Sequence, residues 1–317
     1  MVLAVEPTHR IGGASVYRTL LCTLIGLASM SANAIEYRIP ADGGKLVGAV
    51  EYYQVPENEK ESIADIANHF DVGFLAVMEA NKGVDPFLPE PGTMLTIPTQ
   101  LILPDVPHEG IVINLAELRL YYFPPGKDSV YVFPIGIGRI GRETPVMTTS
   151  ISQKIENPTW TPTANIRREY REDRGIELPA VVPAGPDNPL GEYAMRLAHS
   201  RGEYLIHGTN KDFGIGMRVS SGCIRMNPWD IEWLFPQIPK GTKVRVINQP
   251  VKETREPDGS LYVEVHQPLS KSESEAGSVK VVKASRSLVS AVESNHQAVT
   301  KLSQALESQE GLPIALD

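Results

Sequence analysis

Apolar positions recur along this chain with periods that change at definite points. Between residues 50 and 98, Tyr53 and Val55 start a strand. Ile63, Ile66, Ala67 and Phe70 then recur at helical spacing, as do Leu75, Met78 and Ala80 ahead of Asn81. Pro91-Gly92 marks a turn, and Leu95-Thr96-Ile97-Pro98 alternates as a closing strand. Together they predict a small strand–helix–helix–strand module over 48–99. Pro98, Pro104 and Pro107 mark a short linker after it.

From 110 to 248 the pattern becomes strand-rich. Residues 111–115, 118–123 and 130–136 read as three strands, the first two joined by a tight turn. Further strands are predicted at 194–197 and 204–207, and 242–247 closes the set. Residues 230–235 read as a short helix, with Trp229 and Trp233 four apart and facing the core. A Pro-, Asn- and Arg-rich stretch, 157–188, lacks periodicity. A loop that long inside a compact domain usually serves function, as a lid or a substrate wall. Residues 252–317 form a C-terminal extension, partly helical or disordered. It contains an outlying strand at 261–265 and one amphipathic helix between 278 and 306, drawn from Val281, Ala284, Leu288, Val292, Val299, Leu302 and Leu306. The fold class is mainly β, α+β overall, and no internal repeat is visible.

The N-terminus changes the picture. Arg10 and Arg18 precede an apolar run from Thr19 to Met30, and Ala32-Asn33-Ala34 is a small-x-small cleavage site. Residues 1–34 therefore read as a secretory signal, and the mature chain is expected to start near Ile35 in an oxidising compartment. The apolar run is shorter than the roughly 20 residues a bilayer span needs. Leu20-Leu21 ahead of Cys22 are too large for a lipoprotein signal. The net charge of −8, with no long basic run, makes nucleic acid a poor partner class.

Of the two cysteines, Cys22 lies in the removable segment, so the mature chain carries a single thiol, Cys223. A lone thiol is either an inert buried residue or a nucleophile. Cys223 sits in a polar, glycine-bearing turn, Ser220-Ser221-Gly222-Cys223-Ile224-Arg225, sixteen residues after His207. An imidazole at the end of the apolar strand 204–207, just before Gly208, is placed to take the thiol proton and return it to a leaving amine. Successive N–H groups of Ser221, Gly222 and Cys223 suit a developing oxyanion. Arg225 offers a planar fork for a substrate carboxylate. Tyr204 and Met217 flank the expected cleft and Asn210 orients its loop. His199 reads as an ordinary strand histidine. His69, His108, His266 and His296 have no carboxylate or thiol at ligand spacing, so no metal site is predicted, and no cofactor. These residues point to cysteine acyl transfer without naming a substrate.

Two resemblances add to this. The module at 48–99 resembles LysM modules through Tyr53, Val55, Ile66-Ala67, Asn81, Pro91-Gly92 and Leu95-x-Ile97-Pro98. Where such modules usually carry a Gly-Asp-Thr turn, this chain has the longer, acidic Glu57 to Ser62. The resemblance implies binding of glycan strands; the alternative is a spacer that only positions its neighbour. The segment His207-Gly208-Thr209 through Arg218-Val219-Ser220-Ser221-Gly222-Cys223-Ile224-Arg225-Met226 resembles the signature of the YkuD family of L,D-transpeptidases. The likeness extends through Asn157 to Pro162 and Gly185 to Gly191, is strongest to the periplasmic ErfK/YbiS/YcfS/YnhG group, and covers roughly 45–268. The commonest signature has histidine at Ser221, so the resemblance leaves His207 as the base.

The resemblance implies a β-rich, sandwich-like catalytic domain at 108–248 acting in the periplasm on peptidoglycan tetrapeptide stems. Cys223 would form a thioester at the meso-diaminopimelate, and His207, oriented by the Gly208 carbonyl, would protonate the departing D-alanine. The acceptor implied is the C-terminal lysine of a Braun-type outer-membrane lipoprotein. Formation of 3–3 crosslinks, L,D-carboxypeptidase hydrolysis and a non-catalytic wall-binding role are the alternatives.

Overall fold

The computed structural model describes residues 34–317, apart from 58–59, 212, 276–277 and 279. The expected secretory signal, except Ala34, lies outside the described residues. Two short strands, β1 (Ile35–Arg38) and β2 (Leu46–Val47), precede β3 (Glu51–Gln54), α1 (Ile63–His69), α2 (Phe74–Ala80) and β4 (Met94–Ile97). A short β5 (Leu101–Ile102) follows. The central region contains β6 (Gly110–Asn114), β7 (Arg119–Phe123), β8 (Ser129–Pro134), β9 (Ile137–Gly138) and β10 (Met147–Glu156). It continues with α3 (Ala164–Arg174), β11 (Tyr193–Leu197), β12 (Leu205–His207), β13 (Arg218–Ser220), β14 (Ile224–Arg225), α4 (Pro228–Gln237) and β15 (Lys243–Ile247). The C-terminal region holds β16 (Val251–Arg255), β17 (Leu261–Val265), α5 (Arg286–Val292), α6 (His296–Ser308) and β18 (Pro313–Ala315).

Nine strands form one curled sheet in the order β1-β8-β7-β6-β15-β10-β11-β12-β14. Strand alternation along β6 to β8 gives the sheet two apolar faces. One carries Ile111, Ile113, Leu120 and Phe133, and the curl brings Met195, Ile206 and Ile224 onto the same core, which Ile231 and Leu234 of α4 complete. The opposite face, with Val112, Tyr121 and Val132, packs on Tyr37, Val47, Leu101 and Leu103. The sheet thus sandwiches a core between its own two halves, as the fold class requires. The segment expected to be a linker is buried instead, because Leu101 and Leu103 fill that second core and Ile102 is buried with them. The strand expected to close the set, β15, lies in the middle, parallel to β6 and antiparallel to β10.

The strand–helix–helix–strand arrangement at 51–97 is present. Ser62 caps α1 by accepting the Asp65 N–H, and Asp65 reciprocates on the Ser62 N–H, a capping box. Asn81 joins α2 to β4: its amide donates to the carbonyls of Val77 (2.8 Å) and Thr96 (2.7 Å) and its oxygen accepts the Thr96 N–H (2.7 Å). The module touches the central region at Gly216, whose φ of +69° is left-handed and whose missing Cβ would fall 2.3 Å from the Phe74 nitrogen.

Trp229 is corrected by the structure, while Trp233 packs partly buried against the main core. Both are half-buried, and Ile231, Leu234 and Phe235 supply the core face of α4. Trp233 leans on Tyr131 and Phe133, while Trp229 approaches Asp71 of the small module. Burial pushes the Asp71 carboxyl up to about 6, against the pull of the nearby Trp229 indole. Burial, with the Asp71 charge added, pushes Asp230 well above the usual carboxylate range. Acids raised in the folded state bind more protons folded than unfolded, so their contribution to stability falls as pH rises through the folded values. Asp230→Asn keeps the acceptor for Asn227, presents a donor in place of a second carboxylate, and removes that loss. The variant is expected to gain about 1–2 kcal/mol at pH 8 and less at pH 5, read as a rise in Tm from thermal melts at the two pH values.

The C-terminal region departs most from expectation. One helix was predicted within 278–306; there are two, α5 and α6, with Ser285 capping the first and Asn295 the second. They pack Leu288, Val292 and Leu302 on Val263 and Val265 of a three-stranded sheet, β16-β17-β18. The strand expected as outlying, β17, is the centre of that sheet.

A buried charge cluster joins the three regions. Glu264 on β17 accepts from Arg119 (3.1 Å), His266 Nε2 (2.7 Å) and the Ile102 N–H (2.6 Å), and meets Lys252 Nζ at 3.0 Å. Lys252 also meets Glu117 at 3.0 Å, and His266 Nδ1 lies 3.2 Å from Glu79 of α2. His266, expected to have no carboxylate partner, therefore sits between two. Glu117, Glu264 and His266 bring three ligand-type atoms within 4.8 Å of one another, but the Lys252 ammonium already supplies the cation there.

Candidate active site

Parallel pairing of β12 with β14 sets His207 opposite Arg225 and Ile206 opposite Ile224. Cys223 is therefore opposite Leu205, two residues before His207 and on the same side of the strand pair. This register, which no spacing in the sequence encodes, sets the imidazole and the thiol on one side of the strand pair. His207 is fully buried, and its Nδ1 lies 2.6 Å from the Gly208 carbonyl, the orienting acceptor expected. Desolvation, then the Arg225 guanidinium, lower its pKa to about 4, against the pull of the Gly208 and Leu190 carbonyls. The ring is neutral at neutral pH, with Nδ1–H directed at the Gly208 carbonyl, the form a general base needs.

The half-buried Cys223 donates its S–H to the Glu203 carbonyl at 3.5 Å. Burial pushes the thiol up, while the Leu205 N–H, Arg196 and Arg225 pull it down. Both shifts favour an uncharged thiol and an uncharged imidazole.

The turn before Cys223 is held from several directions. Ser220 Oγ donates to the Cys223 carbonyl (2.5 Å) and accepts the Gly222 N–H (3.2 Å). Thr144 Oγ1 donates to the Gly222 carbonyl (2.8 Å) and accepts the Gly138 N–H (3.0 Å). Ser221 is exposed, and its hydroxyl takes a hydrogen bond from Arg142 (3.2 Å). Gly222 has φ of +106°, and a Cβ there would stand 3.2 Å from Tyr204 Cε1. Gly222→Ala is expected to cost about 1–3 kcal/mol of local strain and to displace the Cys223 amide. Acyl transfer should fall at least about 10-fold while far-UV circular dichroism stays native.

Of the other expected site residues, Arg225 and Tyr204 lie beside the thiol: the charge of each is coupled to that of Cys223. Arg225 has a buried Nε without a hydrogen-bond partner. Tyr204 also stacks edge-on with His199 at 5.5 Å. Asn210 is exposed and donates to the Pro186 carbonyl (2.9 Å) at a cavity of about 540 Å³ that Gly208, Tyr193 and Ile231 also line. Met217 is half-buried, and its carbonyl accepts the Ile137 N–H (3.0 Å). Sequence reasoning missed Thr144, Arg142, Glu203 and Leu190. Thr144 and Arg142 arrive through the β9–β13 pairing, and Glu203 and Leu190 act through main-chain carbonyls, so no side-chain pattern marks any of them.

The long aperiodic stretch has a folded base. Trp160 and Val182 exchange both main-chain hydrogen bonds (2.9 and 2.8 Å). Between them stands α3, capped by Thr163 and ended by Gly175, with no buried residue.

This curled sheet, with a cysteine and a histidine set on one side of adjacent parallel strands at its edge, is an arrangement suited to cysteine acyl transfer. The chain belongs to the L,D-transpeptidase family. Residues 108–246 match the L,D-transpeptidase catalytic domain (YkuD) and 250–316 match the L,D-transpeptidase C-terminal domain. The chain is 59% identical over 244 residues to Probable L,D-transpeptidase YcfS of Escherichia coli (strain K12), covering 76% of each chain. It is 47% identical to Probable L,D-transpeptidase YbiS of the same organism over 93% of this chain and 95% of that one. Among solved structures, it resembles the catalytic domain of an E. faecium L,D-transpeptidase at 23% identity, covering 45% of this chain and 100% of that one, with a TM-score of 0.34. The C-terminal match corrects the expectation that the family likeness ends near residue 267.

Proposed function

We propose that this protein is a periplasmic L,D-transpeptidase of peptidoglycan that works through a thioester on Cys223. The observation that carries the reading is a neutral His207, its Nδ1 fixed by the Gly208 carbonyl, on the strand beside a thiol held in a glycine turn. Cys223 gives its proton to His207 Nε2 and attacks the carbonyl at the L-centre of diaminopimelate in a tetrapeptide stem. The oxyanion is received by main-chain N–H groups of the turn at Ser221, Gly222 and Cys223, with Gly222 releasing Ser220 Oγ. The C–N bond breaks, and D-alanine leaves with the proton from His207. An acceptor amine then attacks the thioester, the C–S bond breaks, and the thiol is restored.

The acceptor proposed is the C-terminal lysine of a Braun-type outer-membrane lipoprotein. The small module at 48–99 is proposed to hold glycan strands; its exposed Tyr52, Phe87 and Leu88 offer apolar surface for sugar rings. Among the described residues no helix is long and apolar enough to cross a membrane, and the leader at 1–34 would deliver the chain to the periplasm.

The test is intact-protein mass spectrometry of the chain from Ile35 with a disaccharide-tetrapeptide and a candidate acceptor. An acyl adduct on Cys223, loss of D-alanine and transfer to a lysine amine are expected. Transfer to a second diaminopimelate would reassign the acceptor, and release to water would make the enzyme a carboxypeptidase. A Cys223 that reacts with small thiol reagents but forms no adduct would sink the mechanism.

A further inference from the structure

We infer that Arg139 and Arg142 form a carboxylate-binding subsite for the donor stem, and that Glu169 of α3 occupies it in the free protein. The inference rests on the stem-cleaving reading above and goes beyond it by assigning residues on the β9–β10 loop and α3.

The loop is built against the catalytic turn. The Arg139 N–H donates to the Ser220 carbonyl (3.0 Å), and the Arg142 N–H donates back to the Arg139 carbonyl (3.0 Å). The Arg142 guanidinium reaches Ser221 Oγ, two residues before the nucleophile (3.2 Å). A stem held by Cys223 therefore passes within reach of both guanidinium groups. They line an open cavity of about 420 Å³ whose far wall is α3.

In the free protein one oxygen serves both cations. Glu169 Oε2 accepts from Arg139 Nη2 at 2.6 Å and from Arg142 Nη2 at 2.9 Å. One carboxylate meets two guanidinium groups at this contact, while Arg168, Glu172, Asp173 and Glu273 line the rest of the cavity. Arg225 and Arg218 on the neighbouring strands have buried Nε atoms without partners. Guanidinium pairs are suited to forked recognition of a carboxylate, and Glu169 uses a single oxygen of its own.

The contact is also replaceable. α3 has no buried residue, so ion pairs and end caps rather than a core hold it over the loop. Partly exposed pairs of this kind are weak. Its base is pinned by the Trp160–Val182 exchange, so the helix can lift without unfolding the sheet. The donor stem carries free carboxylates on its glutamate, its diaminopimelate and its terminal alanine. One of these takes the place of Glu169, and α3 moves aside as the stem enters.

The test uses the full chain carrying Cys223→Ala, so that bound donor is not consumed. Calorimetry gives affinities for the disaccharide-tetrapeptide and for two synthetic stems. In one the glutamate carboxylate is an amide, in the other the diaminopimelate carboxylate. Glu169→Gln removes the internal competitor and is expected to tighten the tetrapeptide about 3- to 10-fold, since the competent state no longer has to be freed. Arg139→Gln with Arg142→Gln should weaken it about 10-fold or more and lose discrimination against one amide, which names the carboxylate. Arg139→Lys with Arg142→Lys should recover part of the loss. An unchanged Tm in Glu169→Gln separates the effect from folding. If Glu169→Gln binds no tighter, or the double Gln variant binds as the parent does, the subsite is overturned while stem binding by the parent leaves the proposed function standing. A Cys223→Ala parent that does not bind the stem, with a wild-type chain that does not transfer it, overturns both.

Discussion

Cys223→Ala is expected to lower stem transpeptidation by at least about 10⁴-fold without changing the fold, because it removes the atom that carries the acyl group. No second thiol lies among the described residues to replace it. His207→Ala should cost about 10²–10⁴-fold, the usual range for a general acid–base group. The pH profile gives the sharper check. His207 is pushed down to about 4, first by burial and then by the Arg225 charge. It stays a neutral base far below the ordinary histidine range, so kcat/KM should hold on the acid side until pH approaches about 4. Burial raises the Cys223 thiol, so thiolate formation without a base should appear only in alkaline solution. Arg225→Met removes a cation that disfavours imidazolium, and should move the acid limb upward. An acid limb near 6.5 in the parent would contradict the buried, cation-facing imidazole.

The second large effect lies away from the site. Glu264→Ala leaves Lys252, Arg119 and His266 buried with too little negative charge. Breaking such a cluster is expected to destabilise the protein by about 3–5 kcal/mol, a fall in Tm on the order of 10 °C. Lys252→Met with Glu264→Leu should recover part of this. That pair of changes leaves Glu117 with Arg119 and His266 with Glu79, although the Ile102 N–H loses its acceptor. The cluster also sets a pH window. His266 is raised to about 9 by hydrogen bonds to Glu264 and Glu79 that overcome its burial. Its stabilisation is complete below the unfolded histidine value near 6.5 and is lost as pH rises through about 9. Glu264 is depressed, with Lys252 and His266 overcoming its burial. Its stabilisation is present above the unfolded value near 4.5 and is lost as pH falls. The cluster therefore contributes most between about 4.5 and 6.5. Thermal melts of the parent and of His266→Gln across pH 5 to 10 check this, and a constant difference between them would count against it.

The chemistry was more legible than the architecture. A lone thiol in a glycine turn and a histidine closing an apolar strand are local patterns, and both come to lie at adjacent parallel strands. Asn81 and the cap at Ser62 were equally local, since helix ends and turns are satisfied by neighbours in sequence. The C-terminal region was misread because 278–306 has few large apolar residues. Its helices are held by Val263 and Val265 of a strand that sequence reasoning set apart.

By itself the sequence determined which residues are candidates for acyl transfer, the main strands at 111–115, 118–123, 130–136 and 242–247, and the strand–helix–helix–strand module, because periodicity and turn chemistry act over a few residues. The tertiary structure alone decided that β15 lies at the centre of the sheet, that β12 and β14 pair in the register setting His207 and Cys223 on one side, and that two carboxylates raise His266 to about 9. It also placed Arg139, Arg142 and Glu169 over the catalytic turn. Those outcomes depend on which distant strands pair and on how much water burial removes from a charge, and neither is written in the spacing of residues along the chain.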